Sequence, residues 1–279
     1  MLEEAWFSRH FYYVGRGEQD YATIIDFTPS SQSTESDSIQ LHGRSQDYSL
    51  EVVNGDTKIY RDSALLDLFL LQDLSDSFRN DLPIIRGLLP NLVTEVRGIQ
   101  SNSWFGVGSF DGYDGYTYRT EQAMNNNTNN ELQTTYANLG IGGGGIESQL
   151  ESLLRVAARG RTSEVGFRTD STQIVVLITD ETYQQTVSNL PTIAQVRDAL
   201  SSAGIIPVFL VTSAVQGDYT TLANQLNGEV ATISTDSSNL IAAIREGLIN
   251  AGAGRELIAV VKGHTDLSLT ADYFSYVTT

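Results

Sequence analysis

The sequence predicts an α/β fold with a doubly wound, mostly parallel sheet flanked by helices. From about residue 64 to residue 250, short apolar runs typical of buried strands alternate with stretches of helical spacing. The strongest strand signal is the run Ile-Val-Val-Leu-Ile at 174–178, and the first is the run at 66–71. Strands separated by helices favour right-handed crossovers, which build a parallel sheet with helices on both faces.

A helix follows the first predicted strand. Its apolar residues keep helical spacing from Leu82 to Val96. Pro83 can occupy the first turn, whereas Pro90 lies inside the pattern and predicts a kink or a break in the helix.

The remaining core elements repeat this alternation, and one polar loop interrupts them. The Asn-rich run 124–130 predicts a mobile surface loop. The other predicted strands are 104–110, 116–120, 174–178, 205–211 and 229–233. The other predicted helices include 150–157, 193–200, 222–226 and 240–248.

Both ends of the chain carry strand-like alternation instead of helical spacing. Residues 1–60 contain short alternating runs around a polar segment, and residues 255–279 return to the same pattern. We therefore predict a main domain at 61–254 and a small β unit in which 1–60 and 255–279 pair.

Composition narrows the range of partners. The chain has 17 Lys and Arg against 34 Asp and Glu, and the net charge of -17 disfavours nucleic acid and anionic lipid surfaces. No stretch reaches the roughly 18 apolar residues that a membrane-spanning helix needs, so no membrane insertion is expected. There is no cysteine, which excludes disulfides and thiolate metal sites. The uncharged polar surface is typical of an extracellular protein.

Oxygen-bearing side chains collect at the ends of two predicted strands. Asp73, Ser75 and Ser77 follow the first strand at a spacing of two, and Asp180 ends the fourth. In the sheet order 3-2-1-4-5-6, strands 1 and 4 are neighbours where the winding reverses, and ligands bind there. Carboxylates and hydroxyls suit a hard cation such as Mg²⁺. The alternative is that Asp73, Ser75 and Ser77 only cap the helix near Asp81, with Asp180 as an ordinary turn residue.

No catalytic arrangement can be assembled around these residues. The glycine-rich segment 140–145 matches G-x-G-x-x-G, but it follows a polar stretch instead of a strand. The three histidines lie in the flanking strands, at His10, His42 and His264. The hydroxyls at the predicted site therefore lack a general base, and the sequence predicts a protein that is not an enzyme.

Several segments around this site resemble a known family. DLFLLQDLSDSFRNDL at 67–82, WFGVGSF at 104–110 and QIVVLITDE at 173–181 are similar to the I-like domain of integrin beta subunits. That domain belongs to the von Willebrand factor A-type family, whose fold is Rossmann-like. The segment 203–244 resembles integrin beta more than a generic A-type domain, and the likeness covers about 65–250 in the same order.

The resemblance implies a metal-ion-dependent adhesion site. The residues that match its ligands are Asp73, Ser75, Ser77 and Asp180, holding Mg²⁺, Mn²⁺ or Ca²⁺. It implies cell-surface adhesion through an acidic group on a protein ligand. In integrins this domain is inserted into a hybrid β-sandwich, and the strand-rich ends of the chain resemble part of that sandwich.

The resemblance also implies an adjacent site for Ca²⁺. Its ligands would be Asp81, the backbone carbonyl of Thr235, and Asn80, where the family usually has a second Asp. Replacing that Asp removes one negative charge, so this site is expected to bind its ion more weakly.

The segment ANLGIGGGGIE at 137–147 departs from the family pattern. The family supplies a Glu to the adhesion site where this chain has Gly143, and Gly140 replaces an Asp of a third metal site beside Asn138. The third site is therefore expected to be absent, and Glu147, about one helical turn further on, is not expected to replace the missing Glu. The short segment 111–138 argues against pairing with an alpha subunit. These departures leave a second hypothesis open, a structural or assembly domain of the same fold that has lost its metal.

Overall fold

The computed structural model divides the chain into two compact units, residues 63–254 and residues 1–62 with 255–279. The residues that it describes are 22–25, 27–28, 38–42, 45, 48–62, 65–113, 115–143, 145–184, 190–253, 255–270 and 273–277. Within these residues, no helix combines the length and the apolar character needed to span a membrane.

Strands and helices alternate along most of the described chain. The strands are β1 (Ala22–Ile24), β2 (Ile39–His42), β3 (Tyr48–Val53), β4 (Asp56–Asp62), β5 (Leu66–Asp73), β6 (Ser103–Phe110), β7 (Arg119–Asn125), β8 (Thr172–Thr179), β9 (Ile205–Thr212), β10 (Glu229–Ile233), β11 (Arg255–Val261) and β12 (Phe274–Val277). The helices are α1 (Asp81–Ile99), α2 (Glu131–Asn138), α3 (Gln149–Arg159), α4 (Ile193–Ala203), α5 (Gln216–Leu226) and α6 (Leu240–Asn250).

The larger unit is built on a six-stranded sheet of order β10-β9-β8-β5-β6-β7. All neighbours are parallel except the edge strand β7, which pairs with β6 in the antiparallel sense. The predicted fold class, a doubly wound and mostly parallel α/β sheet, is confirmed. The winding reverses between β5 and β8, which start the two halves of the sheet.

Strand β5 lies at the centre of the unit and is buried along its whole length. Its side chains alternate between the faces of the sheet, as the period of two in a strand requires. Leu66, Leu68 and Leu70 join the core beneath α1 and α6, while Phe69 and Leu71 join the core beneath α3, α4 and α5. Full burial of one such side chain stabilises the fold by about 1.5–3 kcal/mol, so β5 is held firmly from both sides.

The expected break at Pro90 was wrong. Helix α1 continues through this residue, and Pro90 itself is exposed. Leu89, Leu92 and Val93 around it are buried in the core. Packing on both sides of the proline thus outweighs the local cost of a helical proline, which is about 3 kcal/mol.

The Asn-rich run is part of a hydrogen-bonded turn. Strand β7 extends to Asn125, and the buried Asn127 accepts a bond from the backbone N–H of Leu132 at 2.8 Å. Asn127 and Asn130 adopt left-handed backbone angles, which Asn tolerates better than most residues. The polar composition here therefore reflects turn geometry and not only solvation.

The smaller unit contains a four-stranded sheet of order β1-β11-β4-β3 and the pair β12-β2. Strands β1 and β11 are parallel, as are β2 and β12, while β11, β4 and β3 are antiparallel. The two sheets share one apolar cluster, whose buried members are Phe27, Leu41, Tyr48, Ile59, Ala259, Val261 and Phe274. The origin of this unit as part of a hybrid sandwich stays a prediction, and residues 1–21 lie outside the described part.

Candidate functional site

The candidate site lies at the carboxyl ends of β5 and β8. These strands pair in parallel, with Gln72 opposite Ile178, so the residues that follow them emerge side by side. This is the reversal point of the sheet, where open α/β folds place their ligands.

Asp73 is fully buried, and hydrogen bonds hold both of its carboxylate oxygens. One carboxylate oxygen, Oδ1, accepts a bond from the backbone N–H of Ser75 at 2.8 Å. The other oxygen, Oδ2, accepts a bond from the Thr179 hydroxyl at 2.7 Å. The carboxyl group is thereby tied both to its own loop and to the end of the neighbouring strand.

The two serines link Asp73 to Asp180. The hydroxyl oxygens of Ser75 and Ser77 lie 3.0 Å apart, and the Ser77 hydroxyl donates to Asp180 Oδ1 at 2.8 Å. Neither serine side chain makes a capping bond. The N-cap of α1 is Asn80, and Ser75 occupies the N-cap position of the short 3-10 turn 76–79 without a side-chain bond to it. The four residues predicted from sequence therefore come together in one constellation.

Sequence reasoning missed Glu147. This residue is 5% exposed, and its carboxyl group is hydrogen-bonded to Asp73 and to Ser75. The Thr179 hydroxyl lies 3.3 Å from Glu147 Oε2, and the Gln149 side-chain amide donates to the same oxygen at 2.8 Å. Glu147 reaches this position because residues 145–148 precede α3 and are not helical.

The site concentrates negative charge in a buried place. Burial, the charge of Asp73 and the hydrogen bond to Asp73 raise the pKa of Glu147 to about 10. Burial also raises the pKa of Asp73 to about 6, although hydrogen bonds from Glu147 and Ser75 oppose that rise. At neutral pH and without a cation, Asp73 and Glu147 therefore share one proton.

The three residues of the predicted adjacent site, Asn80, Asp81 and Thr235, differ in how far they are buried. Asp81 begins α1 and is hydrogen-bonded to Ser237, and partial burial is the main cause that raises its pKa. Asn80 is exposed, as is Thr235. Asp81 thus contacts the turn that contains Thr235.

The glycine-rich segment before Glu147 is anchored by backbone contacts. The N–H of Gly142 donates to the Leu74 carbonyl at 2.7 Å, and the N–H of Gly143 donates to Asp111 Oδ2 at 3.2 Å. Gly143 is exposed, and a Cβ placed there would meet no atom within 4 Å.

Replacing Gly142 with Ala is expected to lower the free energy of unfolding by about 1–3 kcal/mol. The added Cβ would lie 2.1 Å from Asp111 Oδ2, so the carboxylate or the loop must shift. Denaturant unfolding measures the effect. Gly140→Ala is the matched control, since its Cβ would meet nothing within 4 Å, and its stability should stay within about 0.5 kcal/mol of wild type. Equal effects of the two changes would contradict this view of the loop.

The donor set fits a hard cation. Carboxylates and hydroxyls are the oxygen ligands that Mg²⁺ and Ca²⁺ prefer, and these metals accept water in the remaining positions. Across the described residues, no group of three or more His, Asp and Glu side chains is placed to hold a metal ion by itself. A cation at this edge would therefore use the hydroxyls of Ser75 and Ser77 together with the carboxylates.

Comparison with known proteins agrees with this architecture. The chain is 23% identical to integrin beta-PS of Drosophila melanogaster over 65% of its own length and 27% of that protein, so it spans about a quarter of the relative. Proximal thread matrix protein 1 from the mussel byssus has the same fold, with a TM-score of 0.53 at 19% identity, over 69% of this chain and 49% of that chain. A family model described as integrin beta-like protein A–E, vWA-like, matches residues 46–267. The chain therefore belongs to the von Willebrand factor A-like family of the integrin beta-like proteins A–E.

Proposed function

We propose that this chain is a non-enzymatic adhesion or protein-binding domain of the cell surface that uses a divalent cation. Asp73, Ser75, Ser77 and Asp180 would hold Mg²⁺, with Mn²⁺ or Ca²⁺ as substitutes. The cation would supply a positive centre to which an acidic group on a protein partner binds. Family membership supports the coarser part of this proposal, a protein-binding domain related to integrins.

The observation that carries the proposal is the link between two strand ends. Asp73 ends one strand and Asp180 follows its neighbour. The Ser75 N–H donates to Asp73 at 2.8 Å, the hydroxyls of Ser75 and Ser77 lie 3.0 Å apart, and the Ser77 hydroxyl donates to Asp180 at 2.8 Å. These contacts support the proposal that the four oxygen-bearing side chains share one ion. The net charge of -17 also favours cations over anions near the surface.

A second, weaker cation site beside the first is part of the proposal. Asp81, Asn80 and the Thr235 carbonyl would hold Ca²⁺ there, with one carboxylate where the family usually has two. Partial burial raises the pKa of Asp81, and the charges of Asp180 and Asp236 raise it further; these charges would favour a cation nearby. With fewer charged ligands, this site should fill at higher Ca²⁺ concentration than the first.

One feature favours a second candidate function. Gly143 stands where the family supplies a Glu, and this loss would suit a structural or assembly domain that no longer binds metal. The two functions differ in one measurable property, because only the first requires a cation at Ser75 and Ser77.

Asp73→Ala is expected to abolish cation binding at the main site, because it removes the buried carboxylate of the constellation. Titration of the metal-free protein with Mn²⁺, followed by calorimetry or by the electron paramagnetic resonance signal of free Mn²⁺, measures the effect. Asp76→Ala is the matched control. Asp76 lies in the same loop but is exposed and pairs with Arg79, so its loss should leave affinity within about threefold of wild type.

Two outcomes would overturn the proposal. The first is a wild-type protein that binds no Mn²⁺ at millimolar concentration, which would favour the assembly domain. The second is equal binding by the wild type and the Asp73→Ala variant, which would place the ion elsewhere.

A further inference from the structure

Glu147 enters the site from a segment whose path is fixed by backbone bonds. Glu147 forms an isolated antiparallel bridge with Gly112, and the neighbouring N–H of Tyr113 donates to the Ile146 carbonyl at 2.8 Å. These contacts hold the residue before Glu147 against the segment that follows β6. The carboxyl group of Glu147 is buried beside Asp73, because the Thr179 hydroxyl lies 3.3 Å from Glu147 Oε2 and 2.7 Å from Asp73 Oδ2.

The family position for this ligand faces another way. Gly143 has no side chain, is exposed, and uses its backbone N–H to bind Asp111. Four residues later the chain returns to the site and places a buried carboxyl group beside Asp73. The chain therefore lacks a carboxyl group at Gly143 but has one near the site at Glu147.

Gln149 supplies an independent observation. Its side chain is 1% exposed, and its amide nitrogen donates to Glu147 Oε2 at 2.8 Å. Among the described residues, its other polar atom, Oε1, is buried and has no hydrogen-bond partner. Buried polar atoms are nearly always paired, so this acceptor on the residue that binds Glu147 calls for a donor such as a bound water.

We infer that Glu147 supplies a carboxylate ligand to the cation site beside Asp73, in place of the Glu that the family has at the position of Gly143. Gln149 acts as a positioning residue that orients this carboxylate, as hydrogen-bonded neighbours commonly do for metal ligands. The inference rests on the proposed function, since it needs a cation at Asp73, Ser75, Ser77 and Asp180.

The test compares Mn²⁺ binding by the wild type and by Glu147→Gln. The substitution keeps the shape of the side chain and removes one negative ligand, so affinity should fall on the order of tenfold or more. Glu151→Gln is the matched control. Glu151 lies one turn further along the chain and pairs with Arg155, so its replacement removes the same charge and should leave affinity unchanged.

The outcomes separate this inference from the proposed function. Loss of affinity in Glu147→Gln but not in Glu151→Gln supports it, whereas wild-type affinity in both variants overturns it and leaves the proposed function intact. A wild type that binds no Mn²⁺ overturns both. Circular dichroism in EDTA confirms that each variant folds, and Glu147→Met, of similar volume and without a polar group, replaces the Gln variant if it does not.

Discussion

Asp67→Ala is expected to lower the free energy of unfolding by about 3–5 kcal/mol. Asp67 lies on β5, six residues before Asp73, and its carboxylate is fully buried. It accepts bonds from the backbone N–H of Arg168 at 2.6 Å, from Arg168 Nε at 2.7 Å and from the Ser171 hydroxyl at 2.8 Å. Removing the carboxylate leaves all three donors without their acceptor.

The size of this effect follows from how completely Arg168 is enclosed. Its guanidinium is only 15% exposed, lies 4.7 Å from the Trp104 ring centroid, and also donates to the carbonyls of Leu66 and Asn102. A cation held this way cannot swing into water when its counterion is lost. Breaking a buried ion pair from one side is therefore far more costly than the pair's net contribution.

Denaturant unfolding of the Asp67→Ala variant checks this expectation. Asp198→Ala is the control, because Asp198 pairs with Arg197 on the exposed face of α4 and should contribute less than about 1 kcal/mol. A loss below about 1 kcal/mol for Asp67→Ala would show that the pair does not hold β5 to the segment that leads into β8.

The metal-free protein is expected to lose stability, relative to Glu147→Gln, as the pH rises from 5 to 8. Burial and the neighbouring Asp73 carboxylate raise the pKa of Glu147 from its ordinary 4.5 to about 10 in the folded protein. In the unfolded chain the same group ionises near its ordinary value. Between these two values the folded state binds more protons than the unfolded state.

This difference in bound protons sets the sign. Stability falls with increasing pH wherever the folded state binds more protons, by at most about 1.4 kcal/mol per pH unit for one group. The effect is absent below pH 4.5, where both states are protonated, and accumulates above it. Glu147→Gln has no proton to lose, so it should gain on the wild type as the pH rises.

Thermal or denaturant unfolding of both proteins in EDTA at pH 5, 6, 7 and 8 measures the effect. The difference in the free energy of unfolding between the two proteins reports mainly on Glu147, because the other titrating groups contribute to both. A difference that does not change with pH, or that grows in favour of the wild type, would contradict the raised pKa.

The spacing of oxygen-bearing residues along the chain predicts half of the site well. Asp73, Ser75 and Ser77 are close in sequence, so one loop is enough to bring them together. Asp180 is distant in sequence, but the expected sheet order places its strand beside β5, and the structure has that order. The alternation of strands and helices indicates a doubly wound sheet, and the order 3-2-1-4-5-6 is a common one for such sheets.

Glu147 shows where such reasoning fails. Counting residues along a helix places it one turn beyond Gly143, yet the segment is not helical and Glu147 pairs with Gly112 instead. No local sequence pattern predicts an isolated β-bridge between residues that are 35 positions apart in the chain. The same holds for Pro90, whose effect on α1 depended on the buried residues around it.

The amino-acid sequence is sufficient to predict the sheet, its faces and the loop that carries Asp73, Ser75 and Ser77. These features follow from the period of apolar residues and from short-range spacing, both of which are local. Two contacts are known only from the three-dimensional structure. The Glu147 carboxyl group lies beside Asp73, and Arg168 donates to the buried Asp67 carboxylate. Such contacts join segments that are distant in sequence. They form because a buried charged group costs free energy unless it is paired.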